Sequence, residues 1–415
     1  MNIRFLRVIR ALFVIVTATI GAEFDLDLYA SRFDSIPIAV LTFTPSAGEK
    51  LREDRPWRVI ADDLEFTGRF QVLRTSEADS AIFAENNIGI YIGGEYRAGG
   101  SEVEMECFLH DASTNELIVG KKYKGSKGFL RTMAHRYANE IVEMIVGDRG
   151  MFETKIVFVR EGGTRKNLWL MDYDGHNLRR ITNMNVVNIF PCFADSNTVV
   201  WTSYMRGKPD LYRGSISTGR SGIFIYSRFV ETSPAASSIE NKLAYASSRE
   251  GNLDIYTCNL DKSETRRLTH HRGIDTSPAW SPNGYHIAFT SDRAGGPQIY
   301  VMDKDGANTK RVTFEGRYQD SPSWSPRGDR IAYASLQNGK FDVWTVKPSG
   351  QEAAKVTSGP GHNDYPCWSP DASHIAFVNT RGGKSDICMI RPDGSDFKRV
   401  TSLGNAKMPD WMQLQ

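Results

Sequence analysis

The stretch SPAWSPNGYHIAFTSDRAGGPQIYVMDKDGANTKRVT, residues 277–313, contains four short runs of β-forming residues, PAW, HIAFTS, QIYVMD and KRVT. Turn signals such as Ser-Pro-Asn-Gly and Asp-Lys-Asp-Gly separate them. The same pattern returns at 321–357 and 365–401. Repeats of about 40–50 residues with four strands are typical of β-propeller blades, whereas helical repeats would place apolar residues at i, i+3 and i+4. The stretch therefore predicts one blade of a propeller.

Equivalent positions in the repeats give the number of blades. The threonines that end the fourth run recur every 44 residues, at Thr269, Thr313, Thr357 and Thr401. The prolines of the first run recur every 43 or 44 residues, at Pro191, Pro234, Pro278, Pro322, Pro366 and Pro409. Six units are predicted, and together they make an all-β six-bladed β-propeller.

The two ends of the repeat region complement each other. The region begins at residue 155 with KIVFVR, which matches the second strand of a blade, while the chain finishes with MPDWMQLQ, which matches the first strand. We therefore expect a propeller over 155–415 that is closed by a C-terminal strand at 408–413. Closure removes the unpaired strand edges that promote aggregation.

The region before the propeller has no repeat, and residues 37–150 are predicted to form a small α/β domain. Strand-like runs occur at 37–44, 70–73, 88–97, 102–110 and 116–124. One helix is predicted over 51–64, with an early interruption at Pro56. A second helix follows from the apolar or small residues spaced by three and four, which are Leu130, Ala134, Tyr137, Ile141 and Met144.

The N-terminus has the pattern of an export signal over residues 1–22. Arg4, Arg7 and Arg10 precede a ten-residue apolar run, and Gly21-Ala22 supplies small residues for cleavage. The alternative is an uncleaved anchor. No later run approaches the roughly 20 apolar residues of a membrane span, so the mature protein is predicted to have no transmembrane segment. Residues 23–36 are predicted to form an extended tail.

Composition and charge exclude several classes of protein. With 40% hydrophobic and 24% charged residues, the chain is an ordinary globular protein rather than a disordered one. Lys and Arg number 51 against 49 Asp and Glu, and loss of the leader's three arginines leaves 48 against 49. Sequence-independent binding to nucleic acid requires many basic groups that neutralise phosphates, so no nucleic-acid partner is predicted.

Motifs of catalysis and metal binding are missing from the sequence. It contains no G-x-S-x-G, no G-x-x-x-x-G-K-[ST] and no H-E-x-x-H. The pair His270-His271 is interpreted as a solvated loop, and Asp172-Tyr173-Asp174-Gly175 and Asp303-Lys304-Asp305-Gly306 as hairpin turns. The five cysteines cannot all pair and lack zinc-site spacing. No catalytic residue, metal or cofactor is predicted.

The repeat predicts a binding surface instead. Because successive strands reverse direction, the segments that enter the first strands and the turns between second and third strands lie on one face. Polar residues of the entering segments are predicted to ring the channel mouth; they are Asn188, Glu231, Thr232, Asp275, Thr276, Gln319, Asp320, Asn363, Asp364 and Lys407. Apolar residues predicted as anchors on this face are Phe190, Phe229, Val230, Ile274 and Tyr318.

Three arginines recur on the same face. Arg249, Arg293 and Arg381 occupy equivalent places, with Gln337 at the intervening repeat. Two interpretations are open for them. Their regularity favours a structural role through bonds to the next blade, while their place on the face would also suit partner binding.

The blades at 277–313 and 321–357, and the segment FLRTMAHRYANEIVEMIVGDRGMFETKIVFV at 129–159, resemble the TolB family of periplasmic propeller proteins of the Tol-Pal system. The resemblance implies a periplasmic, non-catalytic scaffold. It also implies that one propeller face binds the peptidoglycan-associated lipoprotein Pal and that the N-terminal tail contacts TolA. These contacts would support outer-membrane integrity and constriction at cell division. Further envelope proteins remain open as partners.

The resemblance also implies site residues. Thr276, Ser277, Val230 and Ser233 match Pal-contacting positions, although the family has a polar and charged pair where this chain has Val230 and Ser277. The Pal-binding face is thus predicted to comprise Val230, Glu231, Thr232, Ser233, Asp275, Thr276, Ser277, Gln319, Asp320, Asn363 and Asp364. The TolA-binding tail is predicted at Glu23, Phe24, Asp25 and Leu26, whose alternation would let them add a strand to a partner sheet.

Two enzymatic alternatives are open. A propeller domain of a peptidase would accompany a hydrolase domain, for which the sequence shows no nucleophile motif. A propeller-type polysaccharide lyase could hold a metal through His362 and Gln319, in adjacent blades. A metal assay on the purified protein separates the lyase from the binding scaffold.

Overall fold

The computed structural model describes residues 34–48, 55–237 and 239–414. These residues separate into two units, divided between Asp148 and Arg149. The leader predicted at 1–22, most of the tail predicted at 23–36, and the tail residues Glu23, Phe24, Asp25 and Leu26 lie outside the described residues.

The first unit combines one mixed sheet with helices. Its strands are β1 (Ile36–Leu41), β2 (Thr44–Gly48), β3 (Phe70–Thr75), β4 (Ile90–Gly99), β5 (Glu102–Asp111) and β6 (Leu117–Ser126). Its helices are α1 (Pro56–Phe66), α2 (Ser80–Glu85) and α3 (Leu130–Val146), the last preceded by a 3-10 turn at Lys127–Phe129. The sheet order is β3-β1-β4-β5-β6, with β2 paired beside β4. The predicted α/β region is confirmed.

Local signals explain where the prediction for this unit was wrong. Helix α1 begins at Pro56 instead of being interrupted there, because proline suits the first helical turn, where its missing N–H has no intrahelical partner. The short helix α2 was not predicted, although Asp79 caps it by accepting the N–H groups of Ala81 and Ile82. The run predicted as one strand over 37–44 is divided between β1 and β2.

The predicted buried face of α3 is confirmed except at Met144, which is only half-buried. Leu130, Ala134, Tyr137 and Ile141 are all fully buried. The helix ends at Gly147, whose φ of 79° gives the left-handed cap that glycine adopts without strain.

The second unit is the six-bladed propeller that the repeat predicts. Blade one contains β7 (Lys155–Gly162), β8 (Arg165–Asp172) and β9 (Arg179–Arg180). Blade two contains β10 (Asn188–Phe193), β11 (Thr198–Ser203), β12 (Asp210–Ser215) and β13 (Ser221–Ile225). Blade three contains β14 (Glu231–Ser237), β15 (Lys242–Ser247), β16 (Asp254–Asn259) and β17 (Arg266–Arg267).

The remaining blades repeat the arrangement. Blade four contains β18 (Asp275–Trp280), β19 (His286–Ser291), β20 (Gln298–Asp303) and β21 (Lys310–Arg311). Blade five contains β22 (Tyr318–Trp324), β23 (Ile331–Gln337), β24 (Lys340–Val346) and β25 (Ala354–Lys355). Blade six contains β26 (His362–Trp368), β27 (Ile375–Arg381), β28 (Lys384–Ile390) and β29 (Lys398–Arg399). The last strand of the chain is β30 (Ala406–Trp411).

The last strand closes the ring by completing blade one, whose strand order is β30-β7-β8-β9. Its register with β7 runs from Ala406 opposite Arg160 to Trp411 opposite Ile156. The strand occupies 406–411, two residues earlier than the 408–413 that the sequence indicated. Trp411 is 1% exposed, and its indole N–H donates to Oγ1 of Thr154 at 2.9 Å.

The spacing of the prolines reflects a bulge in every inner strand. The residue before each proline has a positive φ between 50° and 56°; these residues are Phe190, Ser233, Ser277, Ser321, Tyr365 and Met408. At the same point the register with the second strand shifts. Proline fits a bulge because the bulge interrupts the ladder, so its lack of an N–H breaks no ladder bond.

The spacing of the threonines reflects a clamp between the two outer strands. Thr313 Oγ1 accepts the N–H of Ile299 at 2.9 Å and donates to the Gln298 side chain at 2.9 Å. The same pair of bonds is made by Thr182, Thr269, Thr357 and Thr401. In blade two the corresponding carboxylate, Asp210, instead pairs with Lys208. In the five blades that have the clamp, the outer strand is only two residues long. The threonine therefore supplies hydrogen bonds that so short a strand lacks.

Replacement of Trp411 by alanine is expected to destabilise the propeller by about 3–5 kcal/mol, because it removes a buried ring and its hydrogen bond at the point of closure. The measurement is urea unfolding followed by tryptophan fluorescence and circular dichroism. Arg180→Ala, which changes an exposed residue in the outer strand of the same blade, is the matched control and should lie within about 0.5 kcal/mol of the parent. Equal losses in the two variants would contradict the closure role.

Candidate functional site

The segments that lead into the inner strands and the turns between second and third strands lie at one end of the antiparallel blades. We call this surface the upper face, and the opposite surface the lower face. All residues predicted for the Pal-binding face lie in or beside the first residues of the inner strands, at the upper face.

Five of those predicted residues are buried, contrary to the expectation of an exposed ring; one of them is the bulge residue Ser233, at 8% exposed. Glu231, Asp275 and Gln319 are 0% exposed and Asn363 is 1% exposed; Asn188 of the wider mouth set is also buried. Asn363 donates to Asp342 at 2.9 Å and accepts from Asn379 at 2.7 Å. Because strand side chains alternate in direction, the first buried polar residue of the inner strands in blades two to six supports the face from beneath, whereas blade one has Ala406 there.

Two of the recurring arginines are explained by these buried carboxylates. Arg293 donates to both oxygens of Asp275, at 3.1 and 2.9 Å, and Arg249 donates to Glu231 at 3.0 Å. Bonds of this charge-assisted kind are stronger than neutral ones. The structural interpretation is therefore supported for both, although the bonds lie within one blade and not between blades. Arg381 is exposed at the end of β27.

The side chains at the following position are half-buried and remain available on the upper face. Thr232, Thr276, Asp320 and Asp364 belong to this group, as does Lys407 of blade one. Thr290 donates to Asp320 at 2.8 Å, which holds that carboxylate beside Ser321. Ser233 and Ser277 are the bulge residues and face the channel cavity described below.

Among these residues, Asp364 has a strongly shifted pKa. Burial raises the pKa of its carboxyl from 3.8 to about 6, against the opposing effect of the charges of Lys407 and His362. Within the described residues its Oδ1 atom accepts no hydrogen bond. A carboxylate in this condition would gain stability from a donor supplied by a partner.

Apolar side chains are also exposed on the upper face. Ile274 is 48% exposed, as expected, whereas Tyr226, at 61%, was not predicted. Phe314, in another entering segment, is 65% exposed, but its ring lies beside Gly350 in a lower-face turn. Phe229 and Val230 are half-buried. The aromatic residues lie in segments that enter inner strands, as Ile274 does. A search of those segments for large apolar residues could therefore have found them in the sequence.

Two residues predicted as exposed anchors, Phe190 and Tyr318, do not lie exposed on the upper face. Phe190 lies within β10 at the bulge and lines the channel cavity, and Tyr318 is the half-buried first residue of β22.

Two arginines lie against aromatic rings of the upper face. The guanidinium of Arg206 lies 4.9 Å from the Tyr226 ring centre, and that of Arg228 lies 4.8 Å from the Phe229 ring centre. The face thus combines cations with aromatic rings above blades two and three.

The residues considered for other chemistry are engaged within the chain. Nδ1 of His362 accepts the Phe341 N–H at 3.3 Å, and Gln319 donates to the carbonyl of Glu315. Among residues 34–48, 55–237 and 239–414, no three His, Cys, Asp or Glu side chains are arranged to hold a metal ion. All five cysteines are buried free thiols.

The interpretation of the aspartate-rich segments as turns is confirmed. Gly175 donates its N–H to the carbonyl of Asp172, and Gly306 donates to that of Asp303, both at 2.9 Å. His270 and His271 are exposed, as expected for a loop.

Among the described helices, none has the length and apolar character needed to span a bilayer.

Comparison with known proteins identifies relatives. A family model described as the TolB beta propeller domain matches residues 142–415. A Tol-Pal system protein TolB of Desulfosudis oleivorans is 35% identical over 234 residues, which cover 52% of this chain and 53% of that protein. A TolB homolog of Chlorobaculum tepidum is 35% identical over 198 residues, covering 43% and 44%. The chain thus matches about half the length of these curated relatives.

A solved structure supports the fold. The crystal structure of TolB from Acinetobacter baumannii aligns over 92% of this chain and 97% of its own, with a TM-score of 0.77 and 21% sequence identity. At that identity the likeness shows the fold alone.

The raised pKa of Asp364 predicts a pH dependence of stability. Because the folded pKa of about 6 lies above the ordinary value of 3.8, the folded state binds the proton more tightly, so this residue's contribution is present at low pH and is lost as the pH rises from about 4 to about 6. The fall in melting temperature between pH 4.5 and 7.5 should be smaller in Asp364→Asn than in the parent.

The measurement is differential scanning calorimetry at both pH values. Asp329→Asn, a change at an exposed residue of a lower-face turn, serves as the control and should keep the parental pH dependence. An Asp364→Asn protein whose melting temperature falls as steeply as that of the parent would show that this carboxyl does not titrate as described.

Proposed function

The chain belongs to the TolB β-propeller family, and from this membership we propose that it is a periplasmic, non-catalytic protein-binding scaffold of the Tol-Pal system. The names of its relatives and the export pattern at residues 1–22 support the proposal. In this role it binds the lipoprotein Pal and the protein TolA, and supports outer-membrane integrity and constriction at cell division.

The observation that carries Pal binding is the composition of the upper face. Half-buried polar side chains at Thr232 and Thr276 lie in segments that also expose Tyr226 and Ile274. Interfaces draw most of their energy from a few aromatic or aliphatic anchors surrounded by polar groups that exclude water. This face provides both.

The residues of the proposed Pal site divide into two roles. Direct contact is proposed for those that are at least partly accessible or line the channel, namely Val230, Thr232, Ser233, Thr276, Ser277, Asp320 and Asp364. Support is proposed for the other buried residues, namely Glu231, Asp275, Gln319 and Asn363. Arg249 and Arg293 belong with the support, since they neutralise two of those buried carboxylates.

The charges of the upper face favour one orientation of the partner. Arg206 and Arg228 lie above blades two and three, while Asp320 and Asp364 lie in the inner strands of blades five and six. Complementary potentials guide encounter and fix register more than they add affinity. We therefore expect Pal to place acidic groups over the first pair of blades and basic groups over the second.

TolA binding is proposed for the tail. Glu23, Phe24, Asp25 and Leu26 alternate polar and apolar residues, which suits a strand added to the edge of a partner sheet. These four residues lie outside those that the structure describes, and their alternation is a feature of the sequence.

Replacement of Thr276 by arginine is expected to weaken Pal binding at least about tenfold, because a long side chain at a half-buried position of the interface prevents close approach. Isothermal titration calorimetry with Pal from the same organism measures it. Ala307→Arg places the same side chain in an exposed lower-face turn and should leave the affinity unchanged. Equal Pal affinity in both variants would contradict the proposed face.

Replacement of residues 23–26 by alternating glycine and serine should abolish or strongly weaken TolA binding, because the apolar anchors of the added strand are lost. The melting temperature and the affinity for Pal should stay at parental values, since the propeller is unchanged. TolA affinity is measured by surface plasmon resonance with the full exported chain. Undiminished TolA binding rejects the tail as the contact.

A further inference from the structure

The centre of the propeller contains a cavity of about 600 Å³ between the inner strands, which we call the channel cavity. Its wall begins at bulge residues such as Phe190 and Ser233 and continues to Pro282 and Pro326, in turns at the lower face. Thr232 and Thr276 do not line it. The cavity therefore lies beyond the Pal contacts proposed at Thr232 and Thr276, and it shares the bulge residues Ser233 and Ser277 with the proposed Pal site. Its volume falls in the range of small-molecule sites, roughly 300–1,000 Å³.

The wall of the channel cavity is strongly asymmetric. The bulge residues of the consecutive blades six, one and two are Tyr365, Met408 and Phe190, which are large and mostly apolar. Those of blades three, four and five are all serine. A ligand with one apolar side and one polar side would match such a wall.

The charges of the wall have one sign. Asp195 and Asp410 line the channel cavity, and no lysine, arginine or histidine does so among the described residues. Asp195 lies in the turn between β10 and β11, where its Oδ1 atom accepts the N–H groups of Asn197 and Thr198, each at 2.8 Å. Asp410 therefore remains as the acidic group able to bind a ligand.

Asp410 occupies a distinctive position. It follows the proline of β30, where the other inner strands carry Cys192, Ala235, Ala279, Ser323 and Cys367. Its Oδ2 atom accepts the N–H of Phe193 from the neighbouring blade at 2.7 Å. In the described part of the chain no cation pairs with Asp410, and the Phe193 N–H is the group of the protein that opposes its desolvation.

The pKa of Asp410 is shifted in the direction expected for a carboxylate that lacks a counterion. Burial raises its pKa to about 7, opposed only by the Phe193 hydrogen bond. Desolvation of a charge without a partner is costly, and a cation at hydrogen-bond distance would reverse that cost.

We propose that the channel cavity binds a small organic ammonium compound, with its ammonium group paired to Asp410 and its apolar body against the large bulge residues and the prolines. A hard divalent cation would seek six or more oxygen ligands, whereas the positions equivalent to Asp410 in the adjacent blades two and six carry the thiols of Cys192 and Cys367. An ammonium group needs only one carboxylate and neighbouring hydroxyls or aromatic faces.

The test is isothermal titration calorimetry of the full exported chain with phenethylamine at pH 8, where Asp410 is ionised. Saturable binding is expected. The neutral isostere 2-phenylethanol should bind at least about tenfold more weakly, because it lacks the charge that Asp410 recognises. The absence of saturable phenethylamine binding up to about 10 mM would overturn the proposal.

Two variants assign the binding to one carboxylate. Asp410→Asn keeps an oxygen for the Phe193 N–H and should weaken phenethylamine binding at least about tenfold. Asp195→Asn removes the other acidic group of the wall and should retain parental affinity. Melting curves and circular dichroism establish that both variants fold. Parental affinity in Asp410→Asn, or a loss confined to Asp195→Asn, would show that the proposed pairing is wrong.

Discussion

Ring closure is the constraint on which the rest of the propeller depends. A four-stranded blade cannot bury both of its faces alone, so each blade packs against a neighbour; Val200 and Leu211 of blade two, for example, share a core with Leu243 and Tyr245 of blade three. The first and last blades meet this requirement only because β30 pairs with β7. The upper face and the channel cavity exist because all six inner strands are held in the ring.

The scaffold is built from repeated devices, and the proposed functions lie where the repeats differ. The proline bulge occurs in all six blades and the threonine clamp in five. Against this regular background, Asp364 is a half-buried residue whose Oδ1 atom accepts no hydrogen bond from the described residues, and Asp410 replaces the small residues or thiols of other blades. Both carry a raised pKa from burial, and both therefore favour a positively charged or donating ligand.

The sequence predicted what depends on its period. Thr313 and Pro278 recur at fixed spacing because each makes the same local bonds in its blade, so the number of blades and the strand order followed from counting. It could not predict the burial of Glu231 and Asp275, because that depends on the direction of each side chain relative to the bulge and on the pairing with Arg249 and Arg293. The sequence indicated a central channel but not the residues that line its cavity, since the wall is formed by six segments distant in sequence.

Binding of Pal to the upper face of the closed six-bladed ring is the proposal on which the function rests. Hydrogen–deuterium exchange of the full exported chain, with and without saturating Pal, tests it directly. Protection should increase in 226–232, 270–277 and 358–364, while the lower-face turns at 281–285 and 304–309 stay unchanged. Protection confined to those lower-face turns, or none in the propeller at all, would contradict the account.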